Sequence, residues 1–193
     1  MFPIFLHRHP QKGFSLIEML LVLGVLAVLL IAAFVVYPKV RDASIVNTEV
    51  SNIRAIQAAT RNLYINKGFY TGLDVNVANQ ARIFPESMNG GKYTTNTPIK
   101  SSWGGEVILW PRPNVLTPTG NTGFHYTFGI SYQYVPPSIC PSLISGIAGD
   151  ARSIIVASNN ADEIEVLTKN GLDIEKVTSA CNREIIRITL TSS

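Results

Sequence analysis

The sequence predicts an α+β protein, in which a long N-terminal helix has an apolar, protruding half and an amphipathic half that packs on an antiparallel β-sheet. Residues 14–66 predict the helix, because an uninterrupted apolar run is followed by apolar residues at three-and-four spacing. Residues 124–135 and 184–191 alternate apolar with polar or small side chains, which is the period of a strand. One helix ahead of a group of strands favours an α+β head over alternating α/β units.

Composition and charge fit one folded domain with an additional apolar segment. The chain has 193 residues, of which 46% are hydrophobic and 15% are charged. The formal net charge of +3 includes Arg8 and Lys12, so the rest of the chain is close to neutral. A near-neutral body gives no electrostatic reason to expect nucleic acid as a partner. It suits a protein that packs against copies of itself, since a large net charge would repel them.

The N-terminal region predicts a membrane segment with a cytoplasmic leader. Residues 1–13 carry basic residues and no acids, and residues 19–37 contain no charged or strongly polar side chain. At about 1.5 Å per residue, a helix of that length spans roughly 28 Å, which is enough for a bilayer core. The basic flank should stay cytoplasmic while the C-terminal body is exported. No small-residue cleavage site follows the apolar run, so an uncleaved signal anchor is one interpretation.

Two residues at the start of the apolar run carry further information. Gly13 lies where the basic stretch ends, and Glu18 lies at the edge of the membrane segment, where a carboxylate is costly. Ser15 and Glu18 form an S-x-x-E capping box, and a carboxylate in the first turn suits the helix dipole. Capping therefore explains Glu18, but it does not explain the Lys-Gly-Phe sequence in front of it.

Residues 12–23, KGFSLIEMLLVL, resemble the prepilin signature of type IV pilins and of the pseudopilins of type II secretion. The resemblance implies that a prepilin peptidase cuts between Gly13 and Phe14 and methylates the new amine of Phe14. The mature subunit would be residues 14–193, which is 180 of the 193 residues. Glu18 would pair with the Phe14 amine of a neighbouring subunit, because a buried carboxylate and ammonium are costly apart and tolerable together.

Three domains follow: a leader at 1–13, a hydrophobic transmembrane and polymerisation helix at 14–38, and a globular domain at 39–193 that includes the amphipathic half of the helix.

The long helix has predicted features at Pro38 and Gly68: Pro38 should kink the helix or bend the chain near the membrane, and Gly68 should end the helix. Glu49 is predicted to lie off the buried stripe. The predicted stripe is Val40, Ala43, Val46, Val50, Ile53, Ile56, Thr60 and Leu63.

Residues 67–105 are rich in Gly, Asn, Thr, Ser and Pro, which predicts a long surface connection with at most one short helix. The remaining predicted elements are strands at 106–110, 124–135, 151–157 (with a helical turn as the alternative) and 184–191, and a short helix at 141–149 with Pro141 in its first turn. The aromatic stripe of 124–134 is predicted to be core, whereas Trp103 and Trp110 fit core or surface equally.

Cys140 and Cys181 lie in the exported part, where an oxidising compartment favours a disulfide; two separate buried thiols are the alternative. The loop of about 40 residues would contribute roughly 3–4 kcal/mol in the chain-entropy model. A late disulfide loop and the mature length resemble the type IVb subclass of pilins. The short leader and Phe14 resemble type IVa pilins. Taken as a whole, the chain most resembles the type IVb subclass.

No catalytic set is apparent, so the chain is not predicted to be an enzyme. His7 and His9 would leave with the leader, and His125 is predicted to be an exposed strand residue, which leaves no Ser–His–Asp arrangement. No phosphate loop or dinucleotide motif is present, so no cofactor is predicted. Asn159, Asn160, Asp162 and Glu163 could offer oxygens to Ca²⁺, as a late loop does in pseudopilins, with a solvated loop as the default.

The resemblance implies a structural role as the major pilin of a type IV pilus, which serves adhesion, aggregation or conjugative cell contact. The implied partners are further copies of the chain, prepilin peptidase, the assembly machinery of the inner membrane and a host or recipient-cell receptor. The precursor would lie in the bacterial inner membrane and the mature subunit in an extracellular fibre. The alternatives are a minor pilin, a type II secretion pseudopilin, or a membrane-anchored binding domain that never polymerises.

Overall fold

The computed structural model describes residues 13–112, 125–158 and 162–193. The leader residues 1–12, with His7 and His9, lie outside the described residues, as do Phe124, Asn159 and Asn160. The chain divides into two compact units between Arg41 and Asp42. Helix α1 (Leu16–Tyr64) has residues in both units.

In the first unit, the described side chains from Gly13 to Arg41 are all exposed. The Ser15 hydroxyl begins α1 by accepting a hydrogen bond from the Glu18 backbone N–H at 3.2 Å, which is one half of the predicted capping box. α1 continues through Pro38, so the chain does not leave the helix at that residue.

In the second unit, which we call the head, α1 buries most of the predicted stripe. Val46, Val50, Ile53, Ile56 and Thr60 are buried, whereas Val40, Ala43 and Leu63 are exposed. The prediction for Glu49 was wrong, since this side chain is fully buried. The helix ends at Tyr64, and Gly68, in the left-handed conformation at φ 68°, donates its N–H to the Tyr64 carbonyl at 3.1 Å, as the sequence predicted.

The head contains a five-stranded antiparallel sheet. Its strands are β1 (Val107–Arg112), β2 (Thr127–Tyr132), β3 (Ser153–Ser158), β4 (Asp162–Glu165) and β7 (Arg187–Ser192), in the order β1-β2-β7-β3-β4, while β5 (Leu167–Thr168) and β6 (Gly171–Leu172) form a separate ribbon. Leu109, Ile130, Leu190 and Ile154 stand side by side across four strands and are buried in the core. The predicted fold class is therefore confirmed.

Strand β2 is shorter and more buried than its alternation predicted. All six residues are buried, including those on the outer face, because large side chains of β1 cover the small ones of β2. Trp110 lies against Gly129 in this way. His125 precedes the strand and is half-buried, with Nδ1 3.3 Å from the Thr71 hydroxyl, so its prediction as an exposed strand residue was wrong.

Residues 67–105 are part of the packed head, and the prediction of a surface connection was wrong. They form two short helices, α2 (Val75–Gln80) and α3 (Glu86–Asn89), and bury Leu73, Phe84 and Ile99. The buried Asn79 amide donates to the carbonyls of Lys92 and Thr94, both at 3.0 Å. A side-chain amide thus satisfies backbone groups that a strand or helix would otherwise pair. The two helices have only 6 and 4 residues, so no hydrophobic period marks this segment.

The remaining helices are α4 (Cys140–Ile147) and α5 (Ile174–Cys181). α4 confirms the predicted helix, with Pro141 in its first turn. No element predicted from the sequence corresponds to α5, β4 or the ribbon. α5 has a clear local start signal, because Asp173 caps it by accepting from the Lys176 N–H at 3.1 Å.

Candidate functional site

The peptide bond between Gly13 and Phe14 lies in non-helical chain directly before α1. A Cβ added to Gly13 would meet no atom within 4 Å, and Phe14 is 78% exposed. The described residues therefore leave both sides of this bond open.

Glu18 lies in the first turn of α1 and its backbone is used by the cap. Within the described residues, its carboxylate accepts no hydrogen bond and takes part in no ion pair. It stands among exposed apolar neighbours, including Ile17 at 76% and Leu21 at 67%. Once that surface is covered by lipid or by other helices, the carboxylate requires a cationic or hydrogen-bonding partner.

The first half of α1 exposes apolar side chains on all its sides. The most exposed include Leu16, Val28, Ile31 and Phe34, at 80%, 67%, 66% and 76%. Its best 18-residue window has a mean hydropathy of 3.2, so by length and composition this helix could cross a membrane. A helix that is apolar all round is stable only when lipid or other helices surround it.

The disulfide Cys140–Cys181 joins the first residue of α4 to the last residue of α5. The two Cα atoms are 5.7 Å apart, within the usual range for this bond, and both side chains are buried. The bond closes the segment that contains β3, β4 and the ribbon, so it holds the C-terminal part of the head as one loop.

Glu49 is a charged residue that was predicted to lie off the buried stripe of α1 but is fully buried. Its Oε1 accepts from the backbone N–H and the hydroxyl of Ser102, both at 2.6 Å, and its Oε2 lies 3.4 Å from the Asn52 amide. Burial first, and then the Glu49 charge, raise the pKa of Tyr132 well above its ordinary value of 10.0. Glu49 lies three residues after Val46 and four before Ile53, and this helical spacing was the signal for burial.

The acidic residues considered for Ca²⁺ have other partners. Asp162 lies 3.9 Å from the guanidinium of Arg183, and Glu163 lies 3.4 Å from that of Arg187. Within the part of the chain that the structure describes, no group of three or more His, Cys, Asp and Glu side chains could hold a metal ion. Asn159 and Asn160 lie outside that part.

An apolar helix that begins next to an open Gly-Phe bond, and that continues into an α+β head closed by a late disulfide, defines the class of type IV pilins. The family model described as PilS N terminal matches residues 43–193, and the prokaryotic N-terminal methylation motif matches residues 8–34. The chain belongs to the PilS family, and it is a type IV pilin most like the type IVb subclass.

Known relatives agree with this assignment. The major structural subunit of bundle-forming pilus from Escherichia coli O111:H- is 26% identical over 158 residues, which cover 80% of this chain and 76% of the relative. The subunit of the same description from Escherichia coli O127:H6 (strain E2348/69 / EPEC) is 29% identical over 121 residues, which cover 63% and 58% of the two chains.

Two solved structures share the fold. The type IV b pilin from Salmonella typhi has a TM-score of 0.51 at 20% identity, covering 75% of this chain and 97% of that one. TcpA, a type IV pilin from the Vibrio cholerae El Tor biotype, has a TM-score of 0.52 at 14% identity, covering 78% and 99%. At these identities the likeness concerns the fold alone.

Proposed function

We propose that this chain is the major structural subunit of a type IV pilus and polymerises through the first half of α1. The exposed apolar surface of that helix is the observation that carries the proposal, since water cannot be its final environment. Lipid of the inner membrane would surround the helix of the precursor, and helices of neighbouring subunits would replace the lipid in the extracellular fibre. The relatives, which are named as major structural subunits, support this role.

The chain would consist of a leader at 1–13, which processing removes, an assembly helix at 14–38 and a globular domain at 39–193, which contains the head. Prepilin peptidase would cut between Gly13 and Phe14 and methylate the Phe14 amine. The match of the methylation motif to residues 8–34 and the open Gly13–Phe14 bond support this cut. The assembly machinery of the inner membrane would then extrude the subunit, and the head would contact a host or recipient-cell receptor.

The Glu18 carboxylate would pair with the methylated Phe14 amine of a neighbouring subunit. Within the described residues this carboxylate has no partner, and assembly would remove it from water. The positively charged Phe14 amine of each incoming subunit would offset the cost of burying the Glu18 carboxylate. A subunit shifted along the fibre axis would leave both charges buried and unpaired. The pair therefore would select one axial position for each new subunit.

Intact-mass measurement and N-terminal sequencing of the chain from its native cells test this proposal. We expect a chain that begins at Phe14, heavier by one CH₂ because a methyl group replaces an amine hydrogen, and lighter by two hydrogens for the disulfide. Immunogold labelling should place it along the whole length of surface fibres. A chain that still begins at Met1 in cells with an active prepilin peptidase would contradict the proposal and favour a non-polymerising anchored domain. Sparse labelling would instead favour a minor pilin.

A further inference from the structure

The outer face of the five-stranded sheet carries a shallow groove. Its volume is about 290 Å³. Ser131 of β2 and Thr189 of β7 face each other in register and form the floor, with their hydroxyls 3.3 Å apart. Trp110 of β1 and Ile155 of β3 flank this floor. The groove is thus low in the middle, where the side chains are small, and higher at the two sides.

Trp110 is fixed in the groove by the glycine opposite it. Trp110 pairs with Gly129 across β1 and β2. A Cβ at position 129 would lie only 2.9 Å from both Cε2 and Cζ2 of the indole ring, closer than packed carbon atoms approach. The ring therefore rests on the backbone of β2, a position that only glycine permits. The half-buried Trp110 side chain, held there, is one of the residues that line the groove.

Two arginines are also held in place at the groove. Arg112 reaches from β1 across β2 to β7, where its Nη1 donates to the Thr191 hydroxyl at 2.7 Å. The guanidinium of Arg187 lies 3.4 Å from Glu163. Both contacts hold the planar guanidinium groups in place, and the contact of Arg112 orients its other donors before any ligand arrives, so little side-chain entropy is lost on binding.

The charge balance limits what the groove can bind. Its two arginines and one glutamate sum to +1. Four of the 16 basic residues precede the head: Arg8, Lys12, Lys39 and Arg41. One of the 13 acidic residues, Glu18, also precedes it. The head therefore carries 12 basic and 12 acidic residues. The head therefore offers no broad positive field for a nucleic acid.

We propose that this groove binds a short saccharide that is neutral or carries one acid group. A sugar ring offers a C–H face to the Trp110 ring and hydroxyl groups to the flanking Arg112 and Glu163 side chains. A peptide that extends a sheet needs a free strand edge, whereas the floor strands β2 and β7 are paired on both sides. An apolar ligand needs a deeper, drier pocket than this open surface.

Binding of the detergent-solubilised full-length chain to a panel of immobilised, chemically defined oligosaccharides tests the proposal. We expect saturable binding to at least one saccharide, lowered about tenfold or more by Trp110→Ala. Gly129→Ala should have the same effect, because it keeps every polar group and chiefly displaces the ring, two atoms of which would lie 2.9 Å from the new Cβ, compared with 3.4 Å for Cδ of Arg112. Tyr93→Ala is the matched control, since it removes a half-buried aromatic side chain from a different part of the head and should leave binding unchanged.

A second measurement does not depend on the folding of the groove variants. The bound saccharide should change the tryptophan fluorescence of the unmodified chain, and the change should persist in Trp103→Phe, which leaves Trp110 as the remaining tryptophan. The proposal is overturned if no saccharide of the panel binds, if folded Trp110→Ala and Gly129→Ala bind as well as the unmodified chain, or if the fluorescence change disappears in a folded Trp103→Phe. Because solubilised subunits need not polymerise, these outcomes are independent of the proposed pilus function.

Discussion

Glu18 and Glu49 belong to the same helix and occupy opposite environments. Glu18 is exposed, and the proposed assembly would bury it, whereas Glu49 is already buried and bonded to Ser102. The first carboxylate is thus available for contact between subunits, and the second fixes α1 to the loop around Ser102 within one head. Residue type alone does not distinguish these roles, since the distinction depends on which groups surround each side chain.

Replacement of Glu18 should separate assembly from folding. We expect Glu18→Ala to leave export, cleavage and the head disulfide intact and to reduce fibre yield at least tenfold, because the Phe14 amine of each incoming subunit would be buried without a counter-charge. Sheared fibres and membrane-bound subunits would be quantified separately. Ser15→Ala is the control, since it removes the helix cap and keeps the carboxylate. Normal fibre yield from Glu18→Ala would contradict the pairing.

Tyr132 should make the head less stable in alkaline solution. Its pKa is raised well above 10.0 by burial and by Glu49, so above about pH 10 the unfolded chain loses a proton that the folded head retains. The free energy of unfolding should therefore fall as the pH rises past 10, and this residue should have no such effect at lower pH. Denaturant titrations of Tyr132→Phe and the unmodified chain between pH 8 and 11 measure it. An identical alkaline decline in both would contradict the assignment to Tyr132.

At the scale of the elements, the disulfide connects α4 to α5 and encloses four strands that lie between them. Of these, β3 and β4 belong to the large sheet, and β4 forms its edge. Edge strands have partners on one side only, so they open more readily than central strands. The disulfide limits how far this segment can separate from the sheet.

Replacement of both cysteines should lower stability markedly. We expect the Cys140→Ala, Cys181→Ala double variant to lose roughly 3–4 kcal/mol of unfolding free energy, with β3, β4 and α5 losing hydrogen-exchange protection first. Hydrogen exchange by mass spectrometry locates the loss. The single Cys140→Ala variant, kept under reducing conditions, is the control. It lacks the disulfide but retains the Cys181 side chain, so it separates loss of the bond from loss of the second side chain. Equal protection of β1 and β3 in the double variant would contradict a local role for the bond.

At the scale of the whole molecule, the two units have opposite solvent requirements. The described side chains of the first unit are exposed and largely apolar, whereas the head has its own core built from α1, the sheet and the short helices. A unit with a complete core folds without its neighbour, while an apolar helix without a partner needs lipid or detergent.

Removal of the first unit should give a soluble head. We expect residues 42–193 to be monomeric without detergent and to form the Cys140–Cys181 disulfide, because the buried stripe of α1 within the head is retained. Light scattering measures the mass, and circular dichroism follows unfolding. The full-length chain in the same buffer is the control and should aggregate. Aggregation of the head at micromolar concentration would show that residues before Asp42 complete its core.

The sequence by itself determined the long helix, its apolar first half, the segments of the main strands and the processing motif, because these depend on local periodicity and on residue types at fixed spacing. The tertiary structure alone decided the packing of residues 67–105, the burial of Glu49 and the groove beside Trp110. Each of these depends on residues that are distant in the chain: buried Asn79 bonds to Lys92 and Thr94, Glu49 to Ser102, and Trp110 rests on Gly129. No local pattern contains those contacts, because they arise only when folding brings the segments together.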